Sequence, residues 1–184
     1  MINFAENVLD ALKTRLLQKD IPASLNNVGN NSYKALTILP KPFNPEYSEK
    51  RNTIILWSLS AVSGKNHGKA DQIKLFCKLY DSVNQAQRGK LLDYLNYANT
   101  VLDFGTFCID SKGQVEFDYT YPLVDHGNCE AEAETLDFAI GCAVFALKTA
   151  DMPLQKLIKD SLTLSEAKNL LEILLEVIDE HIDN

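Results

Sequence analysis

Between Asn3 and Lys19 apolar positions recur every three to four residues: Phe4, Val8, Leu12 and Leu16, with Ala5 and Leu9 widening the stripe. That period predicts an amphipathic helix. Asn3 suits its N-cap, Glu6 the positive end of its dipole, and Lys13, Arg15 and Lys19 the negative end. Ile21-Pro22 ends it, because the residue before a proline is pushed out of the helical region. A polar stretch with Asn26, Asn27, Asn30 and Asn31 comes next, and then the period drops to two. Strands are predicted at Ala35–Leu39 (closed by Pro40, Pro42 and Pro45), Thr53–Leu59 and Ile73–Tyr80. In the second, Ile55, Trp57 and Leu59 oppose Ile54 and Leu56, so both faces are apolar and the strand is expected to be central. In the third, Ile73, Leu75, Cys77 and Leu79 form a core face opposite Lys74, Phe76, Lys78 and Tyr80.

Helical spacing returns from Gln85 to Leu102, through Leu91, Leu95, Ala98 and Leu102, with Gly89 weakening the first turn by about 1 kcal/mol. Phe104–Asp110 and Val115–Tyr121 then alternate as two strands around Ser111-Lys112-Gly113-Gln114, a hairpin in which Gly113 supplies a positive φ. Glu130–Thr149 carries two helical stripes, Leu136/Ile140/Val144/Leu147 and Phe138/Cys142/Phe145. A last helix opens at the capping box Thr163-Leu164-Ser165-Glu166 and has a wide apolar face. The sum is an α+β fold with helices packed on a roughly five-stranded, largely antiparallel sheet. We expect one domain over residues 1–184, with residues 160–184 as an appended C-terminal helix.

The segment Leu91-Leu92-Asp93-Tyr94-Leu95-Asn96-Tyr97-Ala98-Asn99, leading to Phe104-Gly105-Thr106-Phe107, resembles the YbjN-like family. There, a helix bearing Leu-Asn-x-x-Asn leads into a Phe-Gly-x-Phe strand. Asp110-Ser111-Lys112-Gly113 resembles that family's Asp-x-x-Gly turn, and Tyr121-Pro122-Leu123 its strand end. The match covers Leu91 to Leu123, and the order of elements carries the rest. The resemblance implies a type III secretion chaperone-like fold, no catalytic residues, and work as a chaperone-like or regulatory adaptor that binds protein. The longer, Pro-bearing connection at 40–52 and the acidic C-terminal helix depart from the pattern.

Charge sharpens the choice of partner. From Asn128 onward there are 12 Asp+Glu against 4 Lys+Arg, a net of −8, whereas the rest holds 13 acidic and 14 basic residues. An acidic C-terminal third repels phosphate backbones, so nucleic acid is not an expected partner. It suits either a basic protein or plain solvation of a helical face. No apolar run approaches the roughly 20 residues that cross a bilayer, and the N-terminus lacks a basic region preceding an apolar block. Cys77, Cys108, Cys129 and Cys142 lie far apart without CxxC spacing. Reduced thiols in a cytoplasmic protein are the expectation, with Cys77, Cys108 and Cys142 as small core residues.

Candidate chemistry is sparse. Gly64-Lys65-Asn66-His67-Gly68-Lys69-Ala70 superficially resembles a phosphate-binding loop. It is one residue short between the glycines, however, and carries Ala70 where Mg²⁺ needs a hydroxyl. A basic hairpin loop is expected instead. Asp125, His126 and Cys129 form a local group that an enzyme or metal site would use, but no second ligand pair has suitable spacing. The other readings are a polar turn capping the next helix, and a regulator with a small ligand between sheet and helices. Asn96 and Asn99 are expected to bond the backbone near Phe104-Gly105. No catalytic residue, cofactor or metal is assigned. The candidate interaction surface is Phe138, Cys142 and Phe145 with Tyr94 and Tyr97. If the final helix does not cover the Phe138 stripe within the chain, a homodimer through that face is expected.

Overall fold

In the computed structural model the first helix, α1 (Phe4–Gln18), lays Ala5, Val8, Leu9, Leu12 and Leu16 against β1 (Ala23–Val28), β2 (Tyr33–Ile38) and β3 (Ile54–Ala61). All five are 0–1% exposed, as the apolar stripe requires. The structure describes residues 4–28, 33–38, 54–61, 70–123 and 128–182, so the expected Asn3 cap lies outside it. The helix ends where Ile21 N–H donates to Leu16 C=O (2.9 Å) and Asp20 N–H to Leu17 C=O (3.1 Å), with Asp20 at φ 57°. This is a Schellman motif built on aspartate rather than glycine. Lys34 Nζ, 3.0 Å from Asp10 Oδ2, ties β2 to the outer face of α1.

The strands continue with β4 (Ala70–Tyr80), β5 (Thr106–Ile109) and β6 (Val115–Pro122), hydrogen-bonded in the order β1-β2-β3-β4-β6-β5. Six strands stand where five were expected. The added one is β1, in the Asn-rich stretch read as a polar connection. As an edge strand it needs only one ladder and little apolar content. It pairs antiparallel with β2 in the register Leu25↔Leu36. β2, β3 and β4 continue the antiparallel meander, and β3 is interior to it. The two-sided cover expected of β3 rests on side chains outside the described residues. In β4 the alternation holds as far as Leu79: Ile73, Leu75, Cys77 and Leu79 are buried, and Lys74, Phe76 and Lys78 are half-buried. Tyr80, expected on the wetter face, is buried as well, with its hydroxyl donating to Asp151 Oδ1 at 2.6 Å.

After a 3-10 turn at Gln85–Gln87 come α2 (Arg88–Val101), the β5–β6 hairpin, α3 (Cys129–Ile158) and α4 (Leu164–Ile182). The α4 capping box forms as expected: Thr163 N–H donates to Glu166 Oε2 (2.7 Å) and Glu166 N–H to Thr163 Oγ1 (3.3 Å). The bond from the Thr163 backbone holds the Glu166 carboxyl below its ordinary range. α3 runs well past Thr149, through Pro153. Proline there removes the bond to the Thr149 carbonyl, but buried Leu154 and Leu157 keep the inward stripe going.

The chain divides into two compact units, each drawn from two stretches. The first comprises Met1–Lys78 and Asp118–Gly141. In it Asp137 pairs with Arg15 of α1 and with Lys19 just beyond that helix. The buried carboxylate of Glu132 accepts from Tyr121 Oη at 3.0 Å. Burial, then that bond, pushes the Tyr121 phenol up to about 12, so it keeps the proton that serves Glu132.

The second unit comprises Leu79–Phe117 and Cys142–Asn184. Here α2 packs on β5 and α4. The hairpin turn is held from several sides. Asp110 Oδ1 accepts from the N–H groups of Lys112 (2.8 Å) and Gln114 (2.7 Å), and Gly113 N–H donates to Asp110 C=O (3.1 Å). Arg88 donates to the carbonyls of Ile109 and Asp110, and Val83 N–H to that of Gly113. Gly113 has φ +81°, as the turn demands, and an added Cβ would sit 3.4 Å from the Val83 carbonyl oxygen. Gly113→Val is therefore expected to destabilise the fold by about 2 kcal/mol or more. Urea unfolding checks this, and an unshifted midpoint would show that the turn tolerates the strain.

Candidate interaction surface

α3 is built from two interleaved 3-4 patterns on opposite faces. Inward lie Ala133, Leu136, Ile140, Ala143, Leu147, Ala150, Leu154 and Leu157, all at most 6% exposed. Outward lie Phe138, Phe145 and Met152, at 75%, 38% and 40% exposure. They recur every seven residues, so they fall on one line along the helix. Gly141 sits between the two phenylalanines, and a Cβ built there would meet nothing within 4 Å. Leu17 on α1 and Ile173 on α4 are exposed singly, which needs no explanation. Large side chains in a row do, because stripping water from them is favourable.

The expected surface residues separate into two groups. Phe138 and Phe145 stand on the outward face of α3, with Cys142 half-buried beside them. Tyr94 does not belong there: it is fully buried, and its hydroxyl donates to the Ala150 carbonyl at 2.8 Å. Burial, then the nearby Asp151 charge, drives its phenol far above the ordinary range. Helical phase explains the correction, since Tyr94 lies on the inward side of α2 with Leu91, Leu95 and Ala98. Tyr97 is half-buried and engaged with α4. Its hydroxyl donates to Glu172, which raises the phenol, and Lys168 Nζ lies 5.0 Å from its ring centroid. Both tyrosines dock helices. Met152 lies beyond Thr149, the expected end of the helix. A period of seven carried past that point reaches it.

Asn99 does what its sequence context suggests. Its side-chain amide accepts from Phe107 N–H (2.8 Å) and donates to Phe107 C=O (2.9 Å), so it mimics a neighbouring strand. Asn96 is exposed. Asp125 and His126 lie outside the described residues, and Cys129 is the half-buried first residue of α3. Among the described residues no three His, Cys, Asp or Glu side chains gather into a metal-binding group. All four cysteines are free thiols, with Cys77 buried. Cys108 and Cys142 are half-buried rather than core. Residues 62–69, most of the glycine-lysine segment, lie outside the described residues. The strands they join pair antiparallel at Ala61↔Ala70, and the chain continues from Ala70 as strand, not helix. A phosphate there would meet no helix N-terminus.

Neither a protein-family model nor a curated protein matches the chain. Among the described residues no helix is long and apolar enough to cross a membrane.

Proposed function

We propose that this chain is a non-catalytic protein-binding module, a chaperone-like or regulatory adaptor that works in the cytoplasm. The observation that carries the reading is the row of Phe138, Phe145 and Met152 on the outward face of α3. An exposed apolar row on one helix matches the physics of helix-mediated recognition, in which apolar side chains at helical spacing supply the contact. The likeness of Leu91–Leu123 to the YbjN-like pattern supports the same reading, as does the type III secretion chaperone-like order of elements. The polar groups brought together elsewhere are consumed in structural bonds: Asn99 on Phe107, Tyr94 on Ala150, Tyr80 on Asp151 and Tyr121 on Glu132.

Phe138→Glu tests this directly. Its exposure means that the change should leave the melting temperature within a few degrees, since surface substitutions away from special features cost about 0.5 kcal/mol or less. The variant should lose the proteins that wild type retains from native lysate, identified by mass spectrometry. Identical bound sets for the two proteins would remove α3 as the binding face.

A further inference from the structure

We infer that the second half of α4 is a docking surface for a basic amphipathic helix of another protein. It is a different helix from the one that bears the α3 row, and it lies within the second unit. Burial falls away along it. Ala167 and Leu171, one turn apart on its inward line, are 0% exposed. Leu174, the next residue on that line, is only half-buried, and from Glu172 to Glu176 no residue is buried. Yet the sequence grows more apolar there: seven of the nine residues from Leu170 to Ile178 are apolar. Such a helix has more than one apolar side to cover, and packing on α2 covers one. Leu170 and Leu175 stay half-buried to either side of the inward line, and Ile173 is 54% exposed. The exposure of Ile173 alone would need no explanation. Its apolar, half-covered setting does.

Charge decides the occupant. Residues 172–184 hold five Asp and Glu and no Lys or Arg. The excess falls toward the carboxyl end of the helix, the negative end of its dipole, where a cation stabilises and an anion does not. α1 and α3 carry Arg15 and Lys156 in their last turns, whereas the last turn of α4 carries Asp179 and Glu180. Lysines and arginines from a partner would offset both the mutual repulsion of these acids and the dipole. The same charge turns other occupants away. A second copy would set acid on acid, and nucleic acid or an anionic bilayer would meet like charge. A basic helix with apolar residues at three- and four-residue spacing suits the face on both counts.

The probe is a synthetic peptide of roughly 18 residues, long enough to hold a helix, with leucine on one face and lysine on the rest. Fluorescence anisotropy with the full chain reads its binding. The lysine peptide should bind, a glutamate counterpart should not, and added salt should weaken the complex. Ile173→Ser should weaken binding about tenfold and Glu176→Lys several-fold. Both residues are exposed, so the melting temperature should hold. Leu17→Ser and Glu130→Lys make the same kinds of change at exposed positions of the first unit, and they should leave the affinity at wild type. Equal binding of the two peptides, or Ile173→Ser and Glu176→Lys no weaker than these controls, overturns the proposal. So does a mass that doubles with concentration in sedimentation equilibrium but stays at 20.6 kDa in Ile173→Ser, which would give the face to a second copy.

Discussion

Gly105→Ala is expected to be among the most damaging single-methyl additions in this chain, costing about 3–5 kcal/mol. Two effects combine. Gly105 sits at φ +74°, where a side chain costs about 1–2 kcal/mol. A Cβ there would also lie 2.1 Å from Phe117 Cζ, well inside contact distance. The ring has no room to retreat: Phe117 is fully buried and packs on Phe107 at a centroid distance of 4.9 Å. Overpacking of this kind adds about 1–3 kcal/mol or more. For a chain of this size the melting temperature should fall by roughly 10 °C. Pairing the change with Phe117→Leu separates the parts, because a smaller residue relieves the clash but not the backbone strain. If Gly105→Ala melts with wild type, the close approach of turn and ring is not maintained in solution.

Asn99→Ala is expected to cost about 2–4 kcal/mol, through groups that it strands rather than volume that it removes. Phe107 is 3% exposed, and both its backbone groups are satisfied by one side-chain amide. Each buried group left unpaired costs about 1–3 kcal/mol. Asn99→Asp gives the sharper test. The carboxylate still accepts from Phe107 N–H but has no donor for the carbonyl, which it repels, so aspartate should rescue little of the loss. Faster hydrogen exchange at the Phe107 amide in Asn99→Ala would locate the damage. Equal stability and exchange in all three proteins would mean that water replaces the amide without penalty.

These two residues show what is legible in the sequence. The stripe in α1, the alternation in β4, the Gly113 turn and the Thr163 capping box each announce themselves within a few residues, because one local pattern decides each. Asn99 is legible as a backbone-bonding residue, though its partner depends on where β5 runs. β1 is not legible, since Ser24, Asn26 and Asn27 look like loop until an adjoining strand supplies the ladder. Pro153 hides the end of α3, because tertiary burial of Leu154 and Leu157 outweighs the lost bond there. Tyr94 is misplaced for a related reason: an aromatic with a hydroxyl reads as surface until a buried carbonyl is found for it.

The interleaving of the two units bears on how the chain is made. A ribosome delivers residues in order, but the first unit takes its parts from Met1–Lys78 and again from Asp118–Gly141. While residues 79–117 emerge, the nascent chain already holds β1 to β4 but not β6, the strand that adjoins β4. An uncapped strand edge of this kind is a template for unwanted pairing. The speed of translation across residues 79–117 therefore sets how long that edge waits, and synonymous changes that slow this stretch should lower the yield of folded protein without altering a single residue.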